Sequence, residues 1–553
     1  MKVLIFYSLS LLGLSEAALV TTQHGQLQGM RFSAPEDPPV YAYLGIPFAV
    51  PPVGELAFQE TQILDKWDGI LNATKEGKYC IGSTYLNEQD TQSEDCLFLN
   101  IYSPSENLSA NYPVMVYVHG GRYINGNAGP AFFDPSPLVA EGVIVAIFQY
   151  RMGPYGFLST KDLVIPGNAG MKDQVLALRW IKDNIAAFGG DPEQITLFGE
   201  SAGGSACGLH VVSKKSAGLF RAAMCQSASA LTPFSIHRHP KEYAYQLVNL
   251  IDGSVSEETH NSSQLVEFLR NQSPAIIVDA FLKLSTMLEK EDRFPAPTIE
   301  QEHDGAFLYQ NPYELLSTGD FNRVPYVAGY TSEESLFFMN TLDIVTAEAK
   351  KLDTEEGYIF PYDFEPRNAS DEKEIIQYIH DMYLNGSSTF SDNLYEVIRY
   401  ESDDMFNRGV IKQAELQANY VDVYLYQFSY YGNLSRPHLD IPGAEGKAQH
   451  GDELGYLFNR EFFLAGLIPT ETDLVMKSRM VKLWTNFAKY LNPTPEPDDA
   501  LLQKVQWPKL RAGDLSYLDI NVTLKVETNP KADTYSKWNT TYNNWNELPF
   551  TTF

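Results

Sequence analysis

Three residue types, far apart along the chain, could together carry out acyl transfer: a serine, a carboxylate and a histidine. Ser201 is the centre of Gly199-Glu200-Ser201-Ala202-Gly203 and follows the apolar run Ile195-Thr196-Leu197-Phe198. A GxSxG pattern directly after a strand reads as a sharp strand-to-helix turn that strains the serine backbone and lifts its hydroxyl toward substrate. A serine hydroxyl is barely ionised at neutral pH, so attack on a carbonyl needs a base within hydrogen-bond reach. That base in turn needs an acceptor that fixes its tautomer. Of ten histidines, His450 is distinctive, set in Lys447-Ala448-Gln449-His450-Gly451-Asp452-Glu453-Leu454-Gly455-Tyr456. The carboxylate candidate is Glu334 in Gly329-Tyr330-Thr331-Ser332-Glu333-Glu334-Ser335, with Glu333 as its rival. Each also has a structural reading: a lone histidine commonly serves as a hydrogen bonder, and adjacent glutamates commonly open a solvated helix.

The elements that must position these groups are visible as alternating apolar patterns. Residues 112–118 and 143–149 are dense in Val, Ile and Tyr, and 195–198, 222–226, 324–329 and 421–426 read as further strands. Between them, 171–188 places Val175, Leu178, Ile181 and Ile185 on one helical face. Strands alternating with helices predict an α/β fold with a mostly parallel, twisted sheet flanked by helices. The acidic, aromatic stretch 346–407 has weak strand character and reads as a helical cap or lid. No Gly/Ser-rich or charged linker and no internal repeat divides the chain, so a single domain over 18–553 is expected. The chain order serine, acid, histidine is that of α/β-hydrolases.

Residues 1–17 read as a secretory signal: Met1-Lys2, an apolar run from Val3 to Leu14, and Ser15-Glu16-Ala17 before a cut after Ala17. Its apolar core is too short to span a bilayer, and the C-terminus is neither a KDEL-type signal nor a GPI tail, so a secreted, extracellular protein is expected. Nine sequons agree with that compartment: Asn72, Asn107, Asn261, Asn271, Asn368, Asn385, Asn433, Asn521 and Asn539. Asn271 is the weakest, because Pro274 follows its acceptor serine. Lys and Arg number 41 against 70 Asp and Glu, a net charge of −29. That field argues against a nucleic-acid partner and favours neutral or cationic substrates. Of four cysteines, Cys80 and Cys96 could close a surface loop as a disulfide, whereas Cys207 and Cys225 read as buried thiols, with a bridge between them as the alternative. No metal-ligand spacing of Cys or His is visible.

Several longer motifs accompany the serine turn. They are Tyr43-Leu44-Gly45-Ile46-Pro47-Phe48-Ala49 with Pro51-Pro52 nearby, Ser93-Glu94-Asp95-Cys96-Leu97-Phe98-Leu99-Asn100, Tyr150-Arg151-Met152-Gly153 and Gly167-Asn168-Ala169-Gly170-Met171-Lys172-Asp173-Gln174. With them, nearly the whole chain resembles the type B carboxylesterase family, which includes carboxylesterases, cholinesterases, bile-salt lipases and secreted insect esterases. The resemblance implies an α/β-hydrolase fold, Ser201 as nucleophile, His450 as general base then acid, and Glu334 as the orienting carboxylate, followed here by Ser335 where glycine is usual. It implies an oxyanion hole of backbone N–H groups from Gly121, Arg122 and Ala202. Arg122 departs from the family, many members of which have Gly or Ala there. A cation at this rim either narrows the acyl site or binds a polar substrate group, or else it packs on an acid such as Glu94. Glu200 and Ser227 match positions near the triad, Ser227 as a candidate hydrogen-bond donor to the acid, and Arg151 with Asp173 reads as a structural ion pair.

The expected function is hydrolysis of a small-molecule carboxylic ester through an acyl-enzyme, with no cofactor. Activity is expected to fall as pH drops through the imidazole pKa, near about 6.5 if unperturbed. Choline-binding relatives carry a Trp in the cysteine-bounded loop; residues 80–96 hold none, and Tyr85 is their only aromatic. Glu200, where juvenile-hormone esterases usually have Gln, weakens that substrate assignment as well. A catalytically dead adhesion ectodomain and a stoichiometric scavenger are the rivals from other classes.

Overall fold

The computed structural model describes residues 16–553 apart from 35–36, 289–292, 385, 387 and 512. Its strands in chain order are β1 (Glu16–Thr21), β2 (Gln26–Arg31), β3 (Tyr41–Pro47), β4 (Ile70–Asn72), β5 (Tyr79–Cys80), β6 (Gln92–Ser93), β7 (Phe98–Ser103) and β8 (Tyr112–Val118). They continue with β9 (Ile144–Phe148), β10 (Gly190–Glu200), β11 (Ala222–Gln226), β12 (Tyr326–Thr331), β13 (Val423–Phe428), β14 (Ser516–Ile520) and β15 (Lys525–Thr528). One 13-stranded sheet runs β1-β2-β3-β7-β9-β8-β10-β11-β12-β13-β14-β15, with β4 on β2, while β5 and β6 pair separately. From β9 to β14 every neighbouring pair is parallel. The antiparallel pairs lie toward the two ends.

Alternating side chains of the central strands enter two cores. In β8, Val114, Val116 and Val118 pack with the helices Ala169–Asn184, Ala202–Val212 and Arg408–Gln417, whereas Met115 and Tyr117 pack with Met480, Trp484 and Phe487 of the helix Glu471–Tyr490. Burial on both faces is why these strands read as continuous apolar runs. Two strands begin two residues later than the sequence pattern suggests. Pro325 has no N–H for a ladder, so β12 begins at Tyr326; Val421 N–H still donates to Gln417 O, so β13 begins at Val423. The stretch 346–407 is helical as expected. It holds Leu342–Thr354, Glu372–Tyr383 and Leu394–Ser402, then a π-helical turn, Asp403–Asn407, that runs on into Arg408–Gln417.

Residues 1–15 of the expected signal lie outside the described residues. A cut after Ala17 would trim Glu16 and Ala17 from β1 and leave Leu19, Val20 and Thr21 paired with β2. The Cys80–Cys96 disulfide forms, and Cys207 and Cys225 are free and buried. The two bonded cysteines are 16 positions apart, so the bridge removes loop-closure entropy from the unfolded chain worth about 3 kcal/mol. A Cys80→Ser/Cys96→Ser double variant is therefore expected to lose about that much stability in urea unfolding. An unchanged midpoint would refute the entropic account.

Candidate active site

The serine turn is built from close backbone approach. Ser201 has φ 60° and ψ −129°, between the end of β10 and the helix that starts at Ala202. A Cβ on Gly199 would sit 2.6 Å from the Gly203 carbonyl carbon, and one on Gly203 would overlap Val118 O, so the GxSxG glycines are required by packing. Ser201 N–H donates to Gln226 O (2.9 Å), and Ser201 O accepts from Ser205 N–H (2.8 Å), which ties the turn to β11 and to the helix.

The two distant partners arrive at the C-terminal ends of neighbouring strands. Glu334 lies in the turn after β12, and its Oε1 accepts from Thr331 N–H (2.7 Å) while its Oε2 lies 2.6 Å from His450 Nδ1. Both side chains are buried. The rival Glu333 faces elsewhere, its Oε1 accepting from Tyr395 Oη (2.7 Å). The other imidazole nitrogen, Nε2, is 3.1 Å from Glu200 Oε1 without hydrogen-bond alignment, and no hydrogen bond joins it to Ser201 Oγ. A nucleophile-to-base bond that forms only with substrate present is common in ligand-free sites. The expected Ser227 bond to the acid is not made: Ser227 Oγ is buried without a partner, and the free oxygen of Glu334 is taken by the Thr331 amide.

The loop His119-Gly120-Gly121-Arg122 passes directly over the serine. A Cβ on Gly120 would lie 2.9 Å from Ser201 Cβ. The loop is anchored by His119, whose ring stacks on Tyr150 (4.4 Å) and whose carbonyl accepts from Tyr150 Oη (2.8 Å). Burial lowers the His119 pKa to about 4, so the anchor stays neutral. Gly121 O turns back to accept from Ile124 and Asn125 N–H, and Ala202, as the first residue of its helix, has no intrahelical acceptor for its own N–H. Arg122 adopts φ 58°, and its guanidinium lies over Phe294 (5.0 Å) and Phe338 (5.5 Å). It packs on aromatic rings and not on Glu94, which lines a small cavity with Arg151 and Met152. Arg151 and Asp173 form a buried bidentate pair, with Nε and Nη2 each 2.8 Å from a carboxylate oxygen.

The model of the carboxylesterase family matches residues 16–538. The chain belongs to the carboxylesterase family. It is 31% identical over 527 residues to a juvenile hormone esterase of Tribolium castaneum, covering 89% of this chain and 86% of that protein. It is 30% identical over 548 residues to venom carboxylesterase-6 of Apis mellifera, covering 96% and 95%. The crystal structure of juvenile hormone esterase from Manduca sexta, with OTFP covalently attached, superposes with a TM-score of 0.83 at 29% identity, covering 96% of this chain and all of that one. The protein is a carboxylic ester hydrolase of the α/β-hydrolase fold.

The esterase site also contains groups that no motif announced. Phe406, Phe338 and Phe337 surround the His450 ring at 4.7, 5.4 and 6.1 Å. Arg436 donates to His450 O (2.8 Å) and lies over Phe337 (4.2 Å). Behind Glu200, Trp484 donates to Gln226 Oε1 (3.0 Å) and Gln226 donates to Glu453 Oε1 (3.3 Å). Burial pushes Glu453 well up and Asp452 up to about 7. Burial alone would lower the His450 pKa, but the nearby Glu200 and Glu334 carboxylates outweigh it and hold it above the ordinary imidazole value. Among the described residues no group of His, Cys, Asp and Glu is arranged to hold a metal ion, and no helix is long and apolar enough to cross a membrane.

Proposed function

We propose that this esterase works through a Ser201-His450-Glu334 triad and an acyl-enzyme. The reading rests on the 2.6 Å Glu334–His450 pair beside a serine held on a strand-to-helix turn. Ser201 Oγ attacks the ester carbonyl as His450 Nε2 takes its proton; the oxyanion is received by the N–H groups of Gly121, Arg122 and Ala202. His450 then gives the proton to the departing alcohol, and water repeats the sequence to release the acid. The substrate class is a small neutral carboxylic ester, in keeping with the net charge of −29. Mixing with excess p-nitrophenyl acetate tests the reading: sustained turnover after any burst supports an enzyme, one equivalent followed by a stop identifies a scavenger, and no release identifies an adhesion domain.

The pH profile carries a second test. The base must be neutral, so kcat/KM falls as pH drops through the His450 pKa, and the raised pKa places that limb above the ordinary imidazole position. Glu200→Gln removes one of the two raising carboxylates and is expected to move the acid limb of kcat/KM to lower pH. A limb that stays in place would show that Glu200 does not govern His450.

The secretory reading keeps the signal at 1–17, a single hydrolase domain over 18–553, and export to the extracellular space. Asn72, Asn107, Asn261 and Asn368 are exposed and suited to glycan attachment, whereas the exposed Asn433 donates its Nδ2 to Ile468 O (2.9 Å). Asn521 and Asn539 are half-buried, and Asn539 Oδ1 accepts from Lys412 Nζ (2.7 Å), which sets it against modification; Asn385 lies outside the described residues. Expression in a secretory eukaryotic cell should deliver protein to the medium that begins at Ala18 and shifts in mass with peptide N-glycosidase. Full-length, unglycosylated protein retained in the cell would remove this reading.

A further inference from the structure

Resting on the esterase reading above, we propose that the Arg122 side chain is the steric limit of the acyl site, confining the enzyme to esters with short, neutral acyl groups. The position favours glycine: φ is 58°, where an L side chain is strained, yet a long side chain occupies it beside the nucleophile. Its guanidinium covers Phe338 (5.5 Å) and Phe294 (5.0 Å). Phe338 in turn stacks on Phe406 (5.7 Å), and Phe406 meets Phe234 (5.5 Å); Arg122, Phe234 and Phe338 line a partly open cavity of about 290 Å³ together with Met339, Ile344 and Met405.

The cavity adjoins the site through Phe338, which lies 5.4 Å from the His450 ring, and through Arg122 beside Gly121. The leaving alcohol must receive its proton from His450 Nε2, and this edge of the imidazole faces Glu200 at 3.1 Å. Phe338 and Phe406 lie instead against the ring itself, at interplanar angles of 43° and 42°. In this proposal the alcohol departs on the Glu200 side, and the acyl group points into the cavity that Arg122 and Phe338 line.

Charge decides what Arg122 does there. Glu348 and Glu401 share the cavity wall with Arg122 and Arg293, while Asp404 there is ion-paired with Arg408 (2.8 Å), so the wall has no surplus of positive charge to draw in an anionic acyl group. The guanidinium then acts by bulk. Its methylene stem and planar head fill space that a Gly or Ala would leave to the substrate.

The test compares kcat/KM for p-nitrophenyl acetate, butyrate, octanoate and hemisuccinate. For wild type, acetate and butyrate should exceed octanoate, and butyrate should exceed hemisuccinate. Arg122→Gly, with Arg122→Ala as a second shortened variant, should raise the octanoate-to-acetate ratio by about tenfold or more, because each added methylene then finds apolar surface to bury. Arg122→Met, which keeps length without charge, should leave that ratio within about threefold of wild type. A ratio taken within one preparation cancels any loss of folded enzyme or of oxyanion stabilisation, since all the esters share the same carbonyl. The proposal is overturned by an unchanged ratio in both shortened variants, by Arg122→Met behaving like Arg122→Gly, or by a wild-type preference for hemisuccinate. A wild type inert toward every ester would instead remove the esterase reading beneath it.

Discussion

Ser201→Ala is expected to lower kcat on p-nitrophenyl acetate by about 10⁵- to 10⁶-fold, the scale seen when the nucleophile of a serine hydrolase is removed. The residual rate would come from the N–H groups of the oxyanion loop and from binding, neither of which needs the hydroxyl. His450→Ala should cost a comparable factor, and the double variant little more than either alone, because hydroxyl and imidazole act as one unit in the same step. The fold should hardly notice the change. Ser201 is tied into the turn by its backbone, through Gln226 O and Ser205 N–H, and alanine keeps the same Cβ at the same φ of 60°. The thermal midpoint is therefore the control, and covalent labelling by a fluorophosphonate should vanish together with turnover. A variant that retains activity within about tenfold of wild type, with labelling intact, would place the nucleophile elsewhere.

What the sequence could announce follows the range of the forces involved. The serine turn is legible because everything that shapes it is local: an apolar strand, small residues two before and two after, and a helix that starts at once. The central strands are legible for the same reason, and the late starts of β12 and β13 come from single backbone effects at Pro325 and Val421. The choice between Glu333 and Glu334 is different in kind. The two are adjacent, so no spacing rule separates them; which one meets His450 depends on distant contacts, with Tyr395, 62 residues away, donating to Glu333 while Glu334 lies 2.6 Å from the imidazole. Arg122 was visible as a departure from its relatives, but its direction depends on Phe294 and Phe338, which only the folded chain brings near. Phe406 reaches His450 from a π-helical turn, a feature with no sequence periodicity of its own. Ser227 shows the opposite failure, since the carboxylate oxygen offered to it is already occupied by a backbone amide three residues before Glu334.

That occupied oxygen makes Glu334→Gln the most discriminating change in the site. Glutamine has the shape of glutamate, and its carbonyl will stay on the Thr331 N–H that Glu334 Oε1 now satisfies (2.7 Å). Its amide nitrogen then lands where Oε2 stood, 2.6 Å from His450 Nδ1. Two donors cannot share that contact, so Nδ1 must become the acceptor and the ring proton moves to Nε2, the atom that has to take the serine proton. The imidazole is held in the wrong tautomer, and kcat should fall by about 10⁴-fold with the fold intact. Glu334 also raises the His450 pKa, so the residual activity should show its acid limb at lower pH than wild type. Glu200→Gln shares that shift but not the collapse, because Glu200 does not choose the tautomer. Glu333→Gln, with Tyr395 still able to donate to its carbonyl, should stay within about tenfold of wild type. If instead Glu333→Gln collapsed turnover while Glu334→Gln spared it, the orienting carboxylate would be the neighbour, and the short contact to His450 would be a structural hydrogen bond with no part in the reaction.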